Sequence, residues 1–255
     1  MKKIKIVVPI SGGKDSQACL KLALKEYKAN EILGLFCDTQ FEHPITYKHI
    51  DYMSKLYGVK IEKICAGDVE EKILKYNRFP GGGARFCTDE LKIRPSKIFY
   101  KEFAQQQGGF EVWLGMRTGE SSARAKRYKN KTSNELYAPN DVLTKYPKYL
   151  QKLGVMFKLP ILEWGDDEVF EFVGDELNPL YEHGFPRVGC FPCLASGDRW
   201  KEKAFNFDET GRKHYKLVQE LEIKIDHSIW ESKGGYARNN KNQSDVFTGC
   251  AICSI

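Results

Sequence analysis

The chain has no apolar run approaching the roughly 18 residues a membrane-spanning helix needs, and no internal repeat or low-complexity tract. No membrane partner is therefore expected. The opening Met1-Lys2-Lys3 and the mostly apolar residues after it are too short for a secretory signal. They run on without a small-residue cleavage site. A cytoplasmic location follows as an expectation. In that reducing setting the eight cysteines are poor candidates for structural disulfides, and metal or redox chemistry becomes the question. His43, His183, His214 and His227 lack metal-ligand spacing with one another and are assigned no role. The Walker A pattern, which separates its glycines by four residues, is also missing.

What is present is a chain of 255 residues, long for one compact domain and short for two. One α/β core with a smaller appended part is expected. The net charge of +6 comes from 40 basic and 34 acidic residues and is unevenly spread. Between Lys92 and Lys131, ten Lys or Arg face only Glu102, Glu111 and Glu120, a local excess of +7 that leaves the remainder about neutral. That excess suits a nucleotide or nucleic-acid backbone, or else forms a solvated basic face.

Six residues carry most of the information. Ser11-Gly12-Gly13-Lys14-Asp15-Ser16 follows the apolar run Ile4–Ile10 and opens a helical pattern. A strand ending in two glycines, a lysine and two hydroxyls sets backbone N–H groups, an ammonium and a helix start around one anion-sized space. Lys14 is the counter-charge for phosphate, and Ser11, Ser16 and the loop amides are its donors. Asp15 orients Lys14 or helps hold Mg²⁺; alternatively Asp15 and Ser16 simply cap the helix.

Strand patterns at Ile4–Ile10, Ile32–Cys37, Lys60–Cys65, Val112–Gly115 and near Phe157–Leu162 alternate with helical ones. The helices are expected at Ser16–Tyr27, Ile45–Tyr57, Val69–Tyr76 and Glu90–Gln107. This alternation predicts a doubly wound, mainly parallel sheet covered by helices. Phosphate chemistry then belongs at the carboxyl ends of the strands, where Asp38 shares the rim with the Ser11–Ser16 loop. Arg78-Phe79-Pro80-Gly81-Gly82-Gly83 breaks any helix, and the polar stretch Lys126 to Asn140 reads as a flexible lid. A helix begins at Asp166; past Asn178-Pro179-Leu180-Tyr181 the pattern turns irregular and cysteine-bearing. The expected division is residues 1–176 and a small C-terminal module over 177–255.

Further segments follow in order: Asp38-Thr39-Gln40-Phe41-Glu42-His43-Pro44, Arg85-Phe86-Cys87-Thr88-Asp89-Glu90-Leu91-Lys92-Ile93-Arg94-Pro95, and Gly115-Met116-Arg117-Thr118-Gly119-Glu120-Ser121-Ser122-Ala123-Arg124. The last offers two guanidiniums past a strand end, suited to bidentate phosphate grip. With Pro160-Ile161-Leu162-Glu163-Trp164 and the stretch from Asn178 to Cys190, the series resembles the PP-loop ATP pyrophosphatases, fold kin of the adenine nucleotide alpha hydrolases. Within them it resembles the phosphoadenosine-phosphosulfate (PAPS) reductase-like branch, over roughly residues 4 to 195. The C-T-x-x-L-K-x-x-P and G-x-R-x-x-E-S-x-x-R forms look closest to the DNA phosphorothioation proteins DndC and SspD.

The resemblance implies cleavage of ATP between its α and β phosphates, with Mg²⁺. A DNA phosphate becomes adenylylated, and sulfur from a cysteine desulfurase or sulfur carrier then replaces an oxygen, among other subunits of a modification complex. It implies Lys14, Asp15, Arg117 and Arg124 as catalytic, and Ser11 to Ser16, Asp38 and Lys92 as nucleotide-binding. Cys190-Phe191-Pro192-Cys193 and Cys250-Ala251-Ile252-Cys253 lie 56 residues apart, too far for a zinc ribbon. Reductases of adenylyl sulfate place cluster thiols at a Cys-Cys pair and a later C-x-x-C, so Cys87, Cys190 and Cys193 match three ligands of a [4Fe–4S] cluster. Cys253 or Cys250 supplies the fourth, with Zn²⁺ or metal-free sulfur-carrying thiols as alternatives. Cys19, Cys37 and Cys65 read as small buried apolar residues. Sulfonucleotide reduction, tRNA thiolation and a non-catalytic ATP- or nucleic-acid-binding subunit remain the competing functions. The loop is intact where reductase loops are degenerate, and the tail lacks a Glu-Cys-Gly-(Ile/Leu)-His segment.

Overall fold

A computed structural model of the protein describes residues 3–81 and 85–230. Five parallel strands form its sheet: β1 (Ile6–Ile10), β2 (Ile32–Asp38), β3 (Lys60–Cys65), β4 (Glu111–Trp113) and β5 (Met156–Lys158), in the order β3-β2-β1-β4-β5. β1 is central. Its Ile6, Val7 and Val8 have no exposed surface, as expected of a parallel strand covered on both faces. Pro9, which has no N–H to give, falls beyond the last β1–β4 pair at Val7 and Val112, so its missing donor breaks no bond to β4.

Alternate residues of β1 feed two cores. Ile6, Val8 and Ile10 pack with Ala18, Leu20, Ile50 and Met53 beneath helices α1 (Lys14–Glu26) and α2 (Pro44–Tyr57). Val7 packs on the other side with Tyr100, Val112 and Phe157, which brings in the later helix Arg94–Gln107. α2 starts on Pro44, with the His43 side chain capping the Ile45 N–H, and stops at Gly58 in the left-handed region. The short helix α3 (Val69–Tyr76) is capped by Asp68 at its start and by left-handed Asn77 at its end.

Several local expectations are revised. The last strand is only Met156–Lys158, because Pro160 stops it; Leu159, Ile161 and Leu162 are nevertheless buried as a turn, with the Leu162 carbonyl accepting from Thr118 N–H at 2.8 Å. The helix expected from Glu90 begins earlier, through a turn at Phe86–Thr88 and a wide turn at Asp89–Ile93 before Arg94–Gln107. The stretch expected to be a lid is anchored: Tyr128 is buried with its hydroxyl on the Met116 sulfur, and Tyr137 pairs backbone to backbone with Phe157. Within the described residues 177–230 the chain is more regular than its sequence pattern. It holds the helices Asp198–Phe205 and Glu209–Ile225, the second capped by Asp208. Their Phe205, Val218 and Leu221 share an apolar cluster with Phe41, Val69, Ile73 and Phe86. Gly211 permits this packing, since a Cβ there would lie 2.0 Å from the Ala204 carbonyl oxygen.

The chain runs from β1 outward through β2 to β3 and then returns to place β4 on the other side of β1, so the connections after β1 and β4 lead to opposite sides and leave a crevice at the carboxyl ends of these two strands. The loop after β1 and the segment after β4 line it.

Candidate functional site

At the β1 end, the loop is knitted by its own hydroxyls. Ser16 Oγ donates to the Gly13 carbonyl at 2.9 Å and accepts from Ser11 N–H at 3.2 Å, while Gly13 N–H donates to Ser11 Oγ at 3.3 Å. Gly12 needs to be glycine: its φ is +75°, and a Cβ would sit 2.5 Å from Thr46 Cγ2. Gly115 brings the end of β4 against this loop, since a Cβ there would lie 2.8 Å from the carbonyl carbon and oxygen of Asp15. A third segment closes from above. Lys14 N–H donates to the Tyr181 hydroxyl at 2.9 Å and Asn178 Nδ2 donates to the Gly12 carbonyl at 3.1 Å.

The charged groups converge on one point. Lys14 Nζ lies 2.8 Å from Asp166 Oδ1 and 3.6 Å from Asp15 Oδ2. Arg117 donates through Nε to Asp15 Oδ1 at 2.7 Å and through Nη2 to the same Asp166 Oδ1 at 2.5 Å. Both cations are buried, each side chain 4% exposed, whereas Asp166 is 65% exposed. Burial alone would raise the Asp166 pKa, but Lys14 and Arg117 reverse this and hold it below the usual carboxylate range. Burial likewise opposes the charge on Arg117, and Asp15 with Asp166 restores it, leaving its pKa raised.

Arg124 has no exposed surface and pairs with Glu120 at 2.6 Å; Arg187 reaches the other Glu120 oxygen at 3.6 Å. Burial raises the Glu120 pKa, with Arg124 and Arg187 opposing, and both Asp15 and Arg117 are felt there. This second ion group therefore adjoins the first. Arg124 meets a carboxylate in the interior rather than the open crevice.

Asp38, at the carboxyl end of β2, accepts from Tyr47 Oη at 2.7 Å and Gln40 N–H at 2.9 Å and pairs with Lys63 at 2.8 Å. Tyr47 Oη also reaches Glu42 Oε2 at 3.2 Å. The two carboxyls are pushed apart. For Asp38 burial is outweighed by Lys63, Tyr47 and the Gln40 amide, lowering its pKa; for Glu42 burial prevails over Lys92 and Thr39, and Asp38 adds to it. Lys92 is buried and contributes its charge to Glu42, Cys37 and Cys190.

Cys190 bridges backbone to backbone with Glu42, and its Sγ stands 3.3 Å from Thr39 Oγ1 and 3.8 Å from Glu42 Oε1. Burial pushes its thiol up to about 12, with Lys92 opposing and Glu42 and Cys87 adding. Cys87 and Cys190 are thus electrostatic neighbours, and both lie partly buried on the cluster around Phe41. Cys193 follows three residues later on the adjoining turn. Cys250 and Cys253 lie outside the described residues, as does part of the Gly81–Gly83 run. Among the described residues no three His, Cys, Asp or Glu side chains are grouped as a metal site. Soft thiolate donors suit an iron–sulfur cluster in kind. As for Mg²⁺, Asp15 and Asp166 are both engaged by cations.

Cys19 and Cys37 are buried, as expected, but Cys65 is exposed: β3 is an edge strand, and Cys65 ends it, where Gln40 Nε2 lies 3.1 Å from its sulfur. The basic stretch is also not one face. Lys92, Arg117 and Arg124 are interior, while Lys126, Arg127 and Lys129 are exposed around the end of the helix Ser122–Arg127.

Residues 5–196 match the phosphoadenosine phosphosulfate reductase domain family. The chain belongs to that family. A relative in Methanocaldococcus jannaschii, itself uncharacterized, is 30% identical over 252 residues, 95% of this chain and 48% of the relative. An adenosine 5'-phosphosulfate reductase of Rhodococcus erythropolis is 25% identical over 63% of this chain and 58% of its own. The chain thus spans about half the length of these relatives. Among solved structures, a PAPS reductase of Candida auris aligns at 15% identity with a TM-score of 0.47, covering 74% of this chain and 82% of that one. The U34-tRNA thiolase of Methanococcus maripaludis, solved with its [4Fe-4S] cluster, aligns at 16% identity and a TM-score of 0.45, covering 100% and 82%.

Sequence reasoning missed Asp166 and Glu120 as partners of the cations, Tyr181 as the partner of the loop, and Glu42 beside Cys190. An Asp opening a helix reads as a cap, so Asp166 gave no further signal. Tyr181 meets Lys14 across 167 positions, a contact that no local pattern announces.

Proposed function

We propose that this PAPS reductase family protein binds ATP with Mg²⁺ at the loop Ser11–Ser16 and cleaves it between the α and β phosphates to adenylylate a DNA backbone phosphate. The observation that carries the reading is the pair of buried cations, Lys14 and Arg117, converging on one oxygen at the mouth of an intact Ser-Gly-Gly-Lys-Asp-Ser loop. Phosphoryl and nucleotidyl transfer require charge stabilisation more than covalent help, and pre-placed buried cations supply it. A non-bridging DNA oxygen attacks the α-phosphorus and pyrophosphate leaves with the bonding pair. A persulfide sulfur then attacks the activated DNA phosphorus and expels AMP. An external thiol, reducing the sulfur–sulfur bond, frees the phosphorothioate.

Asp38 contacts the adenosine or Mg²⁺, and Lys92, buried where its charge reaches Glu42, adds a cation to the nucleotide-binding set. Arg124 supports the site through Glu120. The exposed Lys126, Arg127 and Lys129 favour a DNA backbone as the second substrate, since phosphate contacts supply sequence-independent affinity. A [4Fe–4S] cluster on Cys87, Cys190, Cys193 and Cys253 extends the proposal. It would supply soft-metal sulfur chemistry, and no step above passes through it. A cysteine desulfurase or carrier delivers the sulfur.

The experiment is transfer of label from [α-³²P]ATP to DNA, with the Lys14→Ala protein as control. Label retained on DNA in the wild type and absent in the variant supports the proposal; label that never leaves the nucleotide pool refutes it. Sulfonucleotide reduction is the second reading, favoured by the adenosine 5'-phosphosulfate reductases among the relatives. It releases sulfite and no pyrophosphate.

A further inference from the structure

The geometry points to Asp166 as an internal stand-in for a phosphoryl oxygen: its Oδ1 fills the anion subsite between Lys14 Nζ and Arg117 Nη2 and must leave when a polyphosphate binds. The inference rests on the nucleotide reading of the loop and adds the residue that gates it.

One carboxylate oxygen contacts both cations, at 2.8 Å and 2.5 Å. Two buried cations sharing one oxygen is the arrangement a non-bridging phosphate oxygen would adopt. The two carboxylates in the group are not equivalent. Asp15 is 16% exposed and holds Arg117 through Nε from the interior, on the first turn of α1. Asp166 is 65% exposed and approaches from the solvent side, as the first residue of the helix Asp166–Val173. Asp166 is therefore the exchangeable partner and Asp15 the fixed one. Two cations and two carboxylates leave the group neutral as it stands; a polyphosphate that displaced Asp166 would restore an anion at the same point while Asp15 kept Arg117 oriented. Tyr181 acts in parallel on the backbone, since its hydroxyl takes the Lys14 N–H that a phosphate oxygen would otherwise accept from.

Nothing in the first turn of that helix depends on Asp166 alone. Glu168 accepts from the Gly165 N–H at 2.8 Å, and Asp167 adds a second acidic residue there. Losing the Asp166 charge should therefore release the cations without unfolding the helix.

The test uses the full chain and titrates inorganic pyrophosphate and ATP calorimetrically, each with Mg²⁺ and with EDTA. Asp166→Asn should bind pyrophosphate at least about threefold more tightly than wild type under both conditions, because a competing anion has been removed. Asp167→Asn, which changes net charge equally but bonds neither cation, should change binding less than about 1.5-fold. Asp166→Ser, a good helix-start residue, repeats the measurement should the Asn variant melt early. Lys14→Ala placed on Asp166→Asn should abolish the gain. Unchanged or weaker pyrophosphate binding in both Asp166 variants overturns the inference, and weakening seen only with Mg²⁺ overturns it in favour of a metal-holding role. Asp166→Asn that gains pyrophosphate binding but binds no ATP would refute the nucleotide function and leave the gate standing. Failure of every variant to bind refutes both.

Discussion

Replacing Gly115 with alanine tests whether the junction of β4 with the phosphate loop sets the site. The new Cβ would stand 2.8 Å from the Asp15 carbonyl carbon and oxygen and 3.1 Å from Ser16 N, all backbone atoms that cannot rotate away. Ordinary carbon contacts begin near 3.4 Å, so α1 and β4 must separate by about half an ångström or more. Overpacking of this kind costs about 1–3 kcal/mol. In a chain of this size that lowers Tm by roughly 2–4 °C per kcal/mol. The displaced atoms carry Asp15 and Lys14, and misplacing reacting groups by about 1 Å costs up to 10²-fold. ATP affinity or turnover should therefore fall by about tenfold or more at 20 °C, well below melting. Gly109→Ala is the control. Its Cβ would clash at 2.4 Å with the Gly154 carbonyl oxygen, just before the amino end of β4. It should lower Tm comparably while leaving ATP affinity within about twofold. Equal loss of affinity in both variants, or wild-type affinity in Gly115→Ala, would show that this junction does not set the site.

Other outcomes follow from the same geometry. His49 is buried against Gln17 Oε1, and burial lowers its pKa from 6.5 to about 4. Between those values the unfolded chain binds the extra proton, so stability should fall as pH drops through this window, by on the order of 3 kcal/mol at most. Melting of His49→Gln should show a shallower decline from pH 6.5 to 4; an unchanged slope contradicts the assignment. Arg124→Met leaves the largely buried Glu120 with Arg187 still at 3.6 Å but without its nearer partner, at a cost of up to about 3–5 kcal/mol, and Arg124→Met with Glu120→Gln should recover at least about 1 kcal/mol in urea melts. A double variant no more stable than the single one would show that the pair is not coupled. Tyr181→Phe removes the acceptor of the Lys14 N–H and should cost about 0.5–1.5 kcal/mol while tightening pyrophosphate binding, read by melting and calorimetry; weakened binding contradicts the closing role. Anaerobic purification with iron, zinc and sulfide analysis checks the thiol assignment: about four irons per chain are expected for a [4Fe–4S] cluster, falling in Cys190→Ser, and iron-free protein contradicts it.

The sheet was legible because parallel strands buried on both faces leave apolar runs such as Ile6–Ile10 and Ile32–Asp38. β3 and α3 match their expected bounds at Lys60–Cys65 and Val69–Tyr76. The loop was legible because Gly12, at a φ of +75°, meets a backbone demand written locally. Partners supplied by distant segments were not: Asp166, Tyr181 and Glu120 acquire their meaning only when β4 and the segment after Asn178 are folded onto the loop. Cys65 is exposed because it ends an edge strand whose Lys60, Glu62 and Lys63 already set it apart from the apolar interior strands, a signal overlooked when a lone cysteine is read as apolar. The helices after Asp198 were hidden by their polar composition, since their single apolar stripe meets α3 rather than the sheet.

The most direct measurement is the identity of the products formed from ATP, followed by ³¹P NMR with Mg²⁺, DNA and a persulfide donor present. Pyrophosphate and AMP should form in equal amounts, with neither formed by Lys14→Ala. Accumulation of ADP and orthophosphate, or ATP that stays intact while the protein is shown to bind it, would contradict the claim.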